Sequence, residues 1–403
     1  MAITTKKQGV WNLNEVYEKI DQGSIWDYNS EEPAAAGYLW AWGYNNRGQS
    51  AQNNTTPGYS SPTQIGTDSN WMLAGTGYGE TKSVFALKTD GTLWAWGQSP
   101  GGNIANVNVS HPGDRSSPTQ IPGTTWDSVG QGEQNFCLGT KTDGTLWGWG
   151  ISYQGELGNN LNGGVGQYRW SSPVQIPSTT LWSKEFNICS QTVSAIKNDG
   201  TLWAWGNNPL GQLGQNSRTN RSSPTQVPGI SWNRLGRGGN GGEIYAFKND
   251  GTLWAWGKND RGNLGQNQSG PTARISSPTQ IPGTNWSNAS HGQGFVIASK
   301  SDGSLWGIGD ASYGSIGQNS SNTHRSSPVR IPGTNWHPSH FAAQQHGAYA
   351  LKTDGTLWAW GRNDKGQLGK NDRVSRSSPV QIPGTYSITS ANGTQAVMAI
   401  RAS

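Results

Sequence analysis

The sequence is poor in cysteine. Cys137 and Cys189 are the only two among 403 residues, and they fall at different points of the repeat described below. Two buried thiols are expected rather than a disulfide, so nothing argues for an oxidising compartment. Charge is also scarce: 29 basic and 24 acidic residues give +5 with no long single-sign run. A nucleic-acid binder would cluster its basic residues, so that class is set aside. No stretch of about 18 consecutive apolar residues exists, which excludes a membrane-inserted helix. The opening "MAITTKKQGV" lacks an apolar segment, so no secretory signal is expected.

Catalytic constellations are equally thin. There is no Gly-x-Ser-x-Gly, no phosphate loop and no Cys-x-x-Cys. Among the six histidines, "HPSH" at His337 to His340 with His346 following comes nearest to a metal cluster. A proline interrupts it, and the spacing is not the i, i+4 that aligns two imidazoles on a helix. No enzyme activity, cofactor or metal is expected.

What the chain does have is tryptophan and glycine. Hydrophobic residues make up only 32%, yet 22 tryptophans, 58 glycines and 20 prolines are present. That mixture suits short strands, many tight turns and a core of few large rings, and it is too aromatic for a disordered chain. The arrangement is repetitive. A Leu-Trp pair begins at Leu39, Leu93, Leu146, Leu202, Leu253, Leu305 and Leu357, and Ser-Ser-Pro at Ser60, Ser116, Ser171, Ser222, Ser276, Ser326 and Ser377. A third landmark gives Trp71, Trp126, Trp182, Trp232, Trp286 and Trp336, with Tyr386 in the seventh place.

Each unit reads as four strands: the segment after Ser-Ser-Pro, ending at a Pro-Gly turn; the single-tryptophan segment; "VFALKT"; and "TLWAWG". The last two are separated by Asp-Gly, the dipeptide favoured by type I′ hairpin turns. Four antiparallel strands at a period of about fifty residues is a propeller blade. The C-terminal "AVMAIRAS" aligns with "VFALKTD", and Gly37 stands where Gly91 stands. Joining the chain ends would complete a composite blade and remove the exposed sheet edges. In "LWAWG", strand alternation sends Leu and Ala to one face and both indoles to the other. Their repetition favours packing between blades over ligand stacking.

"DGTLWAWGNNPLGQLGQN", residues 199 to 216, and the related run at 354 to 379 resemble the regulator of chromosome condensation repeat family. The resemblance covers residues 37 to 403 and implies a seven-bladed β-propeller. It carries no activity over. No insertion matches the nucleotide-exchange loop of the founding protein, and the Gly-Trp-Arg-His-Thr repeat of the plant ultraviolet receptor is absent. The second repeat, "GQSPGGNIANVNVS", also lacks the usual Gly-Gln-Leu-Gly.

Recognition is then sought in what is not repeated. The loop "GNNLNGGVGQYRWSSP" breaks the pattern with Tyr168, Arg169 and Trp170, and Tyr153 precedes it. Arginines stand before Ser-Ser-Pro as Arg115, Arg221, Arg325 and Arg376, and one residue earlier as Arg169 and Arg274. They could hold an anionic glycan or phosphate on one rim, or donate to carbonyls of the neighbouring blade, as a guanidinium fork suits.

Residues 1 to 36 lie outside the repeat as an arm and linker. Leu13, Val16, Tyr17 and Ile20 share one face of a two-turn helix, with Trp11, Trp26 and Tyr28 beside it. So short a helix needs something to dock on. "KKQGVWNLNEVYEKIDQGSIWDY", residues 6 to 28, resembles the leader of tail and appendage proteins of marine bacteriophages. That resemblance implies a virion protein of the tail or fibre, made in the host cytoplasm and not secreted. Residues 9 to 28 would attach it to other virion proteins, homo-oligomeric or not. The propeller would serve host-surface adhesion, with glycan as the expected receptor, or virion contacts. The alternative is a bacterial protein-protein interaction propeller.

Overall fold

In a computed structural model, the chain is described from residue 37 onward. The exceptions are 56–57, 77–82, 100–103, 105–113, 133–134, 161–167, 239–240, 322, 365–367, 369, 371, 386–387, 391–397 and 401–403. Every regular element is a strand apart from two 3-10 turns, Pro271–Ala273 and Ser312–Gly314. No α-helix occurs among the described residues, and the helix expected around Leu13 to Ile20 falls outside them.

The all-β propeller is confirmed, with one correction to its number of blades. Six sheets are four-stranded antiparallel blades, running from Trp71–Thr76 in the first to Arg376–Thr385 in the sixth. The fifth blade gains an extra strand, Arg237–Gly238, paired in parallel with Ser290 and His291. The expected seventh four-stranded blade is not formed among the described residues. Its segments make two separate pairs, Trp40–Tyr44 with Gly58–Gln64, and Ile388–Ser390 with Met398–Ile400. Strand Met398–Ile400 adjoins Trp40–Tyr44, yet no ladder joins them among the described residues. The physical reason is covalent. In the six blades an Asp-Gly turn fixes the register of the two middle strands, whereas here they come from opposite chain ends.

The repeat unit also has a different phase. Within each blade the order is single-tryptophan strand, "VFALK"-type strand, Leu-Trp strand and then Ser-Ser-Pro strand. The Ser-Ser-Pro strand therefore pairs with the Leu-Trp strand before it, as Arg115–Ile121 does with Leu93–Gly97. The Pro-Gly turn is the passage to the next blade and not a hairpin. Proline explains the placement, since it lacks a ladder N–H and is tolerated at a sheet edge.

The Asp-Gly hairpins differ from the expected type I′. Only the glycine takes a positive φ, 76° at Gly91 and 78° at Gly144. Gly91 N–H donates to the Lys88 carbonyl at 3.0 Å, and Lys88 N–H to that of Thr92 at 3.0 Å. This is a three-residue loop, a turn followed by a left-handed glycine. Aspartate is selected by a different interaction. Asp90 Oδ1 accepts the Thr92 N–H at 2.9 Å and hydroxyl at 2.6 Å, and the pattern repeats at Asp143, Asp199, Asp250, Asp302 and Asp354.

The core lies in the seams. Cys189, Ile196, Leu202, Ala204 and Val227 of the third blade form one buried cluster with Trp232, Ile244 and Trp256 of the fourth. The apolar small-residue face of one blade thus receives the indole face of the next, as alternation along "LWAWG" requires. The second indole also crosses the seam by hydrogen bond. Trp96, Trp205, Trp256 and Trp360 donate to the carbonyls of Gln49, Glu156, Gln212 and Ser315 at 2.8 to 2.9 Å. Both cysteines are buried thiols outside any disulfide, and burial pushes the Cys137 thiol up.

Candidate functional site

In the six blades each Leu-Trp strand runs between two rims, with the Asp-Gly turn at one end and a glycine with the following loop at the other. The loop rim is built around the Ser-Ser-Pro bulge. Between Ala95 and Gly97 the ladder skips from Thr119 to Arg115, which leaves Ser116 to Pro118 out of register. The bulge turns the Ser116 carbonyl toward the preceding repeat, where it accepts the Asn53 N–H at 2.8 Å. Asn160, Asn216, Asn267 and Asn319 do the same to Ser222, Ser276, Ser326 and Ser377 at 2.7 to 2.9 Å. A glycine is required there: a Cβ on Gly211 would lie 2.7 Å from Ser276 Cα. Ser-Ser-Pro and the Gly-Gln-Leu-Gly loop are therefore two halves of one clasp between blades.

Four of the rim arginines occupy a common register. Arg115, Arg221, Arg325 and Arg376 each stand opposite the last glycine of their Leu-Trp strand. Arg376 pairs with Asp372 at 2.7 Å and donates to its own Val374 carbonyl, and Arg274 lies 3.5 Å from Asp260. Those partners are local. Charge crosses between loops elsewhere, at Arg47–Asp114 and Arg261–Asp310.

Tyr168, Arg169 and Trp170 lie in strand Tyr168–Gln175, where Arg169 pairs with Ile151. They are not on the loop the sequence suggested. Trp170 is half-buried against the cluster containing Phe136, Trp182 and Trp205, because the strand extends further than the Ser-Ser-Pro pattern predicts. Tyr153 is half-buried, and its N–H donates to Glu156 Oε2 at 2.8 Å. Glu156 is itself buried, which raises its carboxyl above the usual range. The arm residues Trp11, Leu13, Val16, Tyr17, Ile20, Trp26 and Tyr28 lie outside the described residues.

On the Asp-Gly rim a stack repeats six times. In the third blade Lys197 Nζ sits 3.9 Å from the Trp203 ring centre and 5.0 Å from that of Trp182. Trp203 Nε1 donates to Thr201 Oγ1 at 2.8 Å, and Thr201 to Asp199 at 2.6 Å. Partial burial holds the Lys197 ammonium below its usual pKa. The stack is structural capping of the seam, with a cation over the electron-rich face. Two aliphatic side chains break this polar edge. Leu181 is 54% exposed and Ile230 67%, and they flank the Asp199–Gly200 turn on adjacent blades, through Asn198 N–H to the Leu181 carbonyl and Trp232 N–H to that of Gly200.

The remaining titratable groups do not converge on an open cleft. His337 and His340 stack at 3.9 Å and 12°, and desolvation holds His337 below the usual imidazole value. His291 and Glu243 approach to 3.9 Å but both are fully buried. Among the described residues no group of three metal-ligating side chains exists, and no helix is long and apolar enough to cross a membrane.

Fold and clasp together define a propeller of repeats in which each loop is completed by the next blade. The family model described as the regulator of chromosome condensation (RCC1) repeat matches residues 199–238, 250–299 and 354–400. That match and the relatives support the RCC1 repeat family. The chain is 25% identical to the ultraviolet-B receptor UVR8 of Arabidopsis thaliana, over 75% of this chain and 68% of the receptor. It is 23% identical to human E3 ubiquitin-protein ligase HERC2 over 83% of this chain, which spans only 7% of that ligase. Among solved structures, human WBSCR16 superposes with a TM-score of 0.75 at 16% identity, covering 91% of this chain and 100% of that one. Yeast RCC1 (Prp20), solved bound to Kap60, gives 0.76 at 15%, covering 100% and 96%. These structural likenesses establish the fold.

Proposed function

We propose that the chain is a protein-interaction propeller without a reaction of its own. The observation that carries this is the Leu181 and Ile230 edge, two solvent-facing aliphatics on adjacent blades of an otherwise polar rim. Exposed aliphatics between polar neighbours suit the centre of a protein contact. Support comes from the fold's use elsewhere: yeast Prp20 has been solved bound to Kap60, and has binding properties to Gsp1p and histones. The test is photo-cross-linking in the native host, with the reactive residue at position 181 or 230 of the full chain. A discrete protein adduct is expected, and it should vanish in the Leu181→Asp, Ile230→Asp double variant. A folded protein giving adducts only from the opposite rim would refute this assignment.

A second reading rests on residues 6 to 28 and their likeness to phage appendage leaders. It makes the chain a tail or fibre protein whose arm attaches it to the virion and whose propeller meets the host surface or virion neighbours. A chain lacking residues 1 to 30 should then stay folded and fail to enter particles; incorporation of that truncated chain would sink the attachment role.

A further inference from the structure

On the loop rim, between the fifth and sixth blades, lies an open hollow of about 600 Å³ lined by Ser312, Tyr313, Ser321, Ser375 and Ser377. Tyr313 is the residue that singles it out. It sits just before Gly314, at the position held by Arg47, Gln154, Leu210 and Arg261 in other repeats. Those four keep negative φ, whereas Tyr313 takes φ 58° and ψ 10°. A bulky side chain rarely adopts that conformation, and it persists only where the surroundings over-determine it. Here they do. Ser312 N–H is tied to Asp310 Oδ1 at 2.7 Å, and Gly314 presses against Ser377, where a Cβ would lie 2.3 Å from Ser377 Cα.

The strained backbone holds the phenol ring at the hollow, 46% exposed. Its inner side rests on the His346 imidazole, 5.3 Å away at 47°, and on the Arg362 guanidinium, 5.2 Å from the ring centre. Two guanidinium groups nearby already have carboxylate partners. Arg362 pairs with Asp364 at 2.7 Å and Arg376 with Asp372 at 2.7 Å. Burial and the Arg362 charge hold His346 below the usual imidazole value, so it adds no cation near neutral pH. Among the described residues lining the hollow none carries a charge. What the hollow offers is an aromatic ring and four serine hydroxyls; Ser375 Oγ accepts the Asn363 N–H at 3.2 Å and Ser377 Oγ donates to Asn319 Oδ1 at 3.4 Å, and each keeps further hydrogen-bonding capacity.

We propose that the Tyr313 hollow is a saccharide subsite that binds a neutral pyranose, its C–H face on the phenol ring and its hydroxyls among the serines. The chemistry follows from the ring's apolar body and from a lining that matches a ligand rich in hydroxyls and free of net charge. The proposal does not depend on the Leu181 and Ile230 contact, which lies on the opposite rim, nor on attachment through the arm, though a bound glycan would suit the host-surface role of the second reading.

The experiment is saturation-transfer difference NMR on the full chain, with methyl glycosides of neutral hexoses and N-acetylhexosamines as probes and inorganic phosphate as an anionic competitor. Transfer to the pyranose C–H protons of at least one neutral glycoside is expected, undiminished by phosphate. Tyr313→Phe should retain binding, and Tyr313→Ala should weaken it by roughly tenfold, the scale of one lost ring contact. Tyr313→Gly removes the ring while relieving the backbone, so it should lose binding with an unchanged or raised melting temperature. The proposal is overturned by no transfer to any neutral glycoside, by transfer that persists in Tyr313→Gly, or by displacement with phosphate.

Discussion

Trp205 offers the sharpest measure of how much stability one seam holds. Its indole is fully buried, in one cluster with Phe136, Leu138, Leu146 and Leu157 of the preceding blade. It meets Trp182 at 5.8 Å and 56°, and its Nε1 donates to the Glu156 carbonyl at 2.8 Å. Truncating a buried tryptophan to alanine costs about 3–5 kcal/mol in lost transfer and cavity terms. Leaving the Glu156 carbonyl unpaired adds about 1–3 kcal/mol. The two overlap, so Trp205→Ala should destabilise by about 4–6 kcal/mol. Trp203 lies two residues earlier on the same strand, but half-buried beneath Lys197. Its truncation loses one cation–π contact and one half-buried hydrogen bond, about 1–2 kcal/mol. Equilibrium denaturant unfolding followed by far-ultraviolet circular dichroism separates them, since 22 tryptophans would blur a fluorescence signal. Equal losses from Trp203→Ala and Trp205→Ala would refute the argument that the second indole is the seam material.

The clasp is tested by glycine. Gly211→Ala forces a Cβ to within 2.7 Å of Ser276, whereas Gly66→Ala meets nothing within 4 Å at a comparable positive φ. Both variants bear the backbone strain, so Gly211→Ala should melt lower by the overpacking cost alone, about 1–3 kcal/mol; equal melting temperatures would show that the loop yields. Acid should weaken the fold in two windows. His337 and His346 are held below the usual imidazole value, so the unfolded chain binds more protons and stability falls as pH drops from about 7 to 5. The Asp-Gly carboxyls, such as Asp199, are held down first by the Thr201 hydroxyl. Their contribution is full above about pH 4 and is lost as the pH falls further. Melting temperature against pH, in wild type and in His337→Gln, reads both; a flat wild-type profile between pH 7 and 5, or an unchanged slope in the variant, would contradict the histidine assignment.

Much of the blade was legible. Leu202, Trp203, Ala204 and Trp205 announce a strand with two unlike faces, and Asp199-Gly200 announces the turn before it. These are local properties, set by side-chain period and by where glycine alone is comfortable. The edge strands were harder. Ser-Ser-Pro names a bulged strand at a sheet edge but not which neighbour it pairs with, and pairing is decided by the seam on its other side. Tyr168 to Trp170 looked like a loop because they precede that motif; the ladder to Ile151 and Ser152 extends through them. Tyr313 was visible only as one aromatic in "YGSIG", since its strain comes from Ser377, some sixty residues away.

By itself, then, the sequence determined a propeller of short tryptophan strands, its hairpins and its tryptophan seams, because period, turn chemistry and repetition are encoded within a few residues. Only the tertiary structure decided where one blade ends and the next begins, and that six complete blades stand beside two two-stranded sheets. It alone decided that Arg274 and Arg376 pair locally while backbone carbonyls join neighbouring repeats. Those outcomes depend on residues fifty or more positions apart, meeting across a seam whose partner no local pattern names.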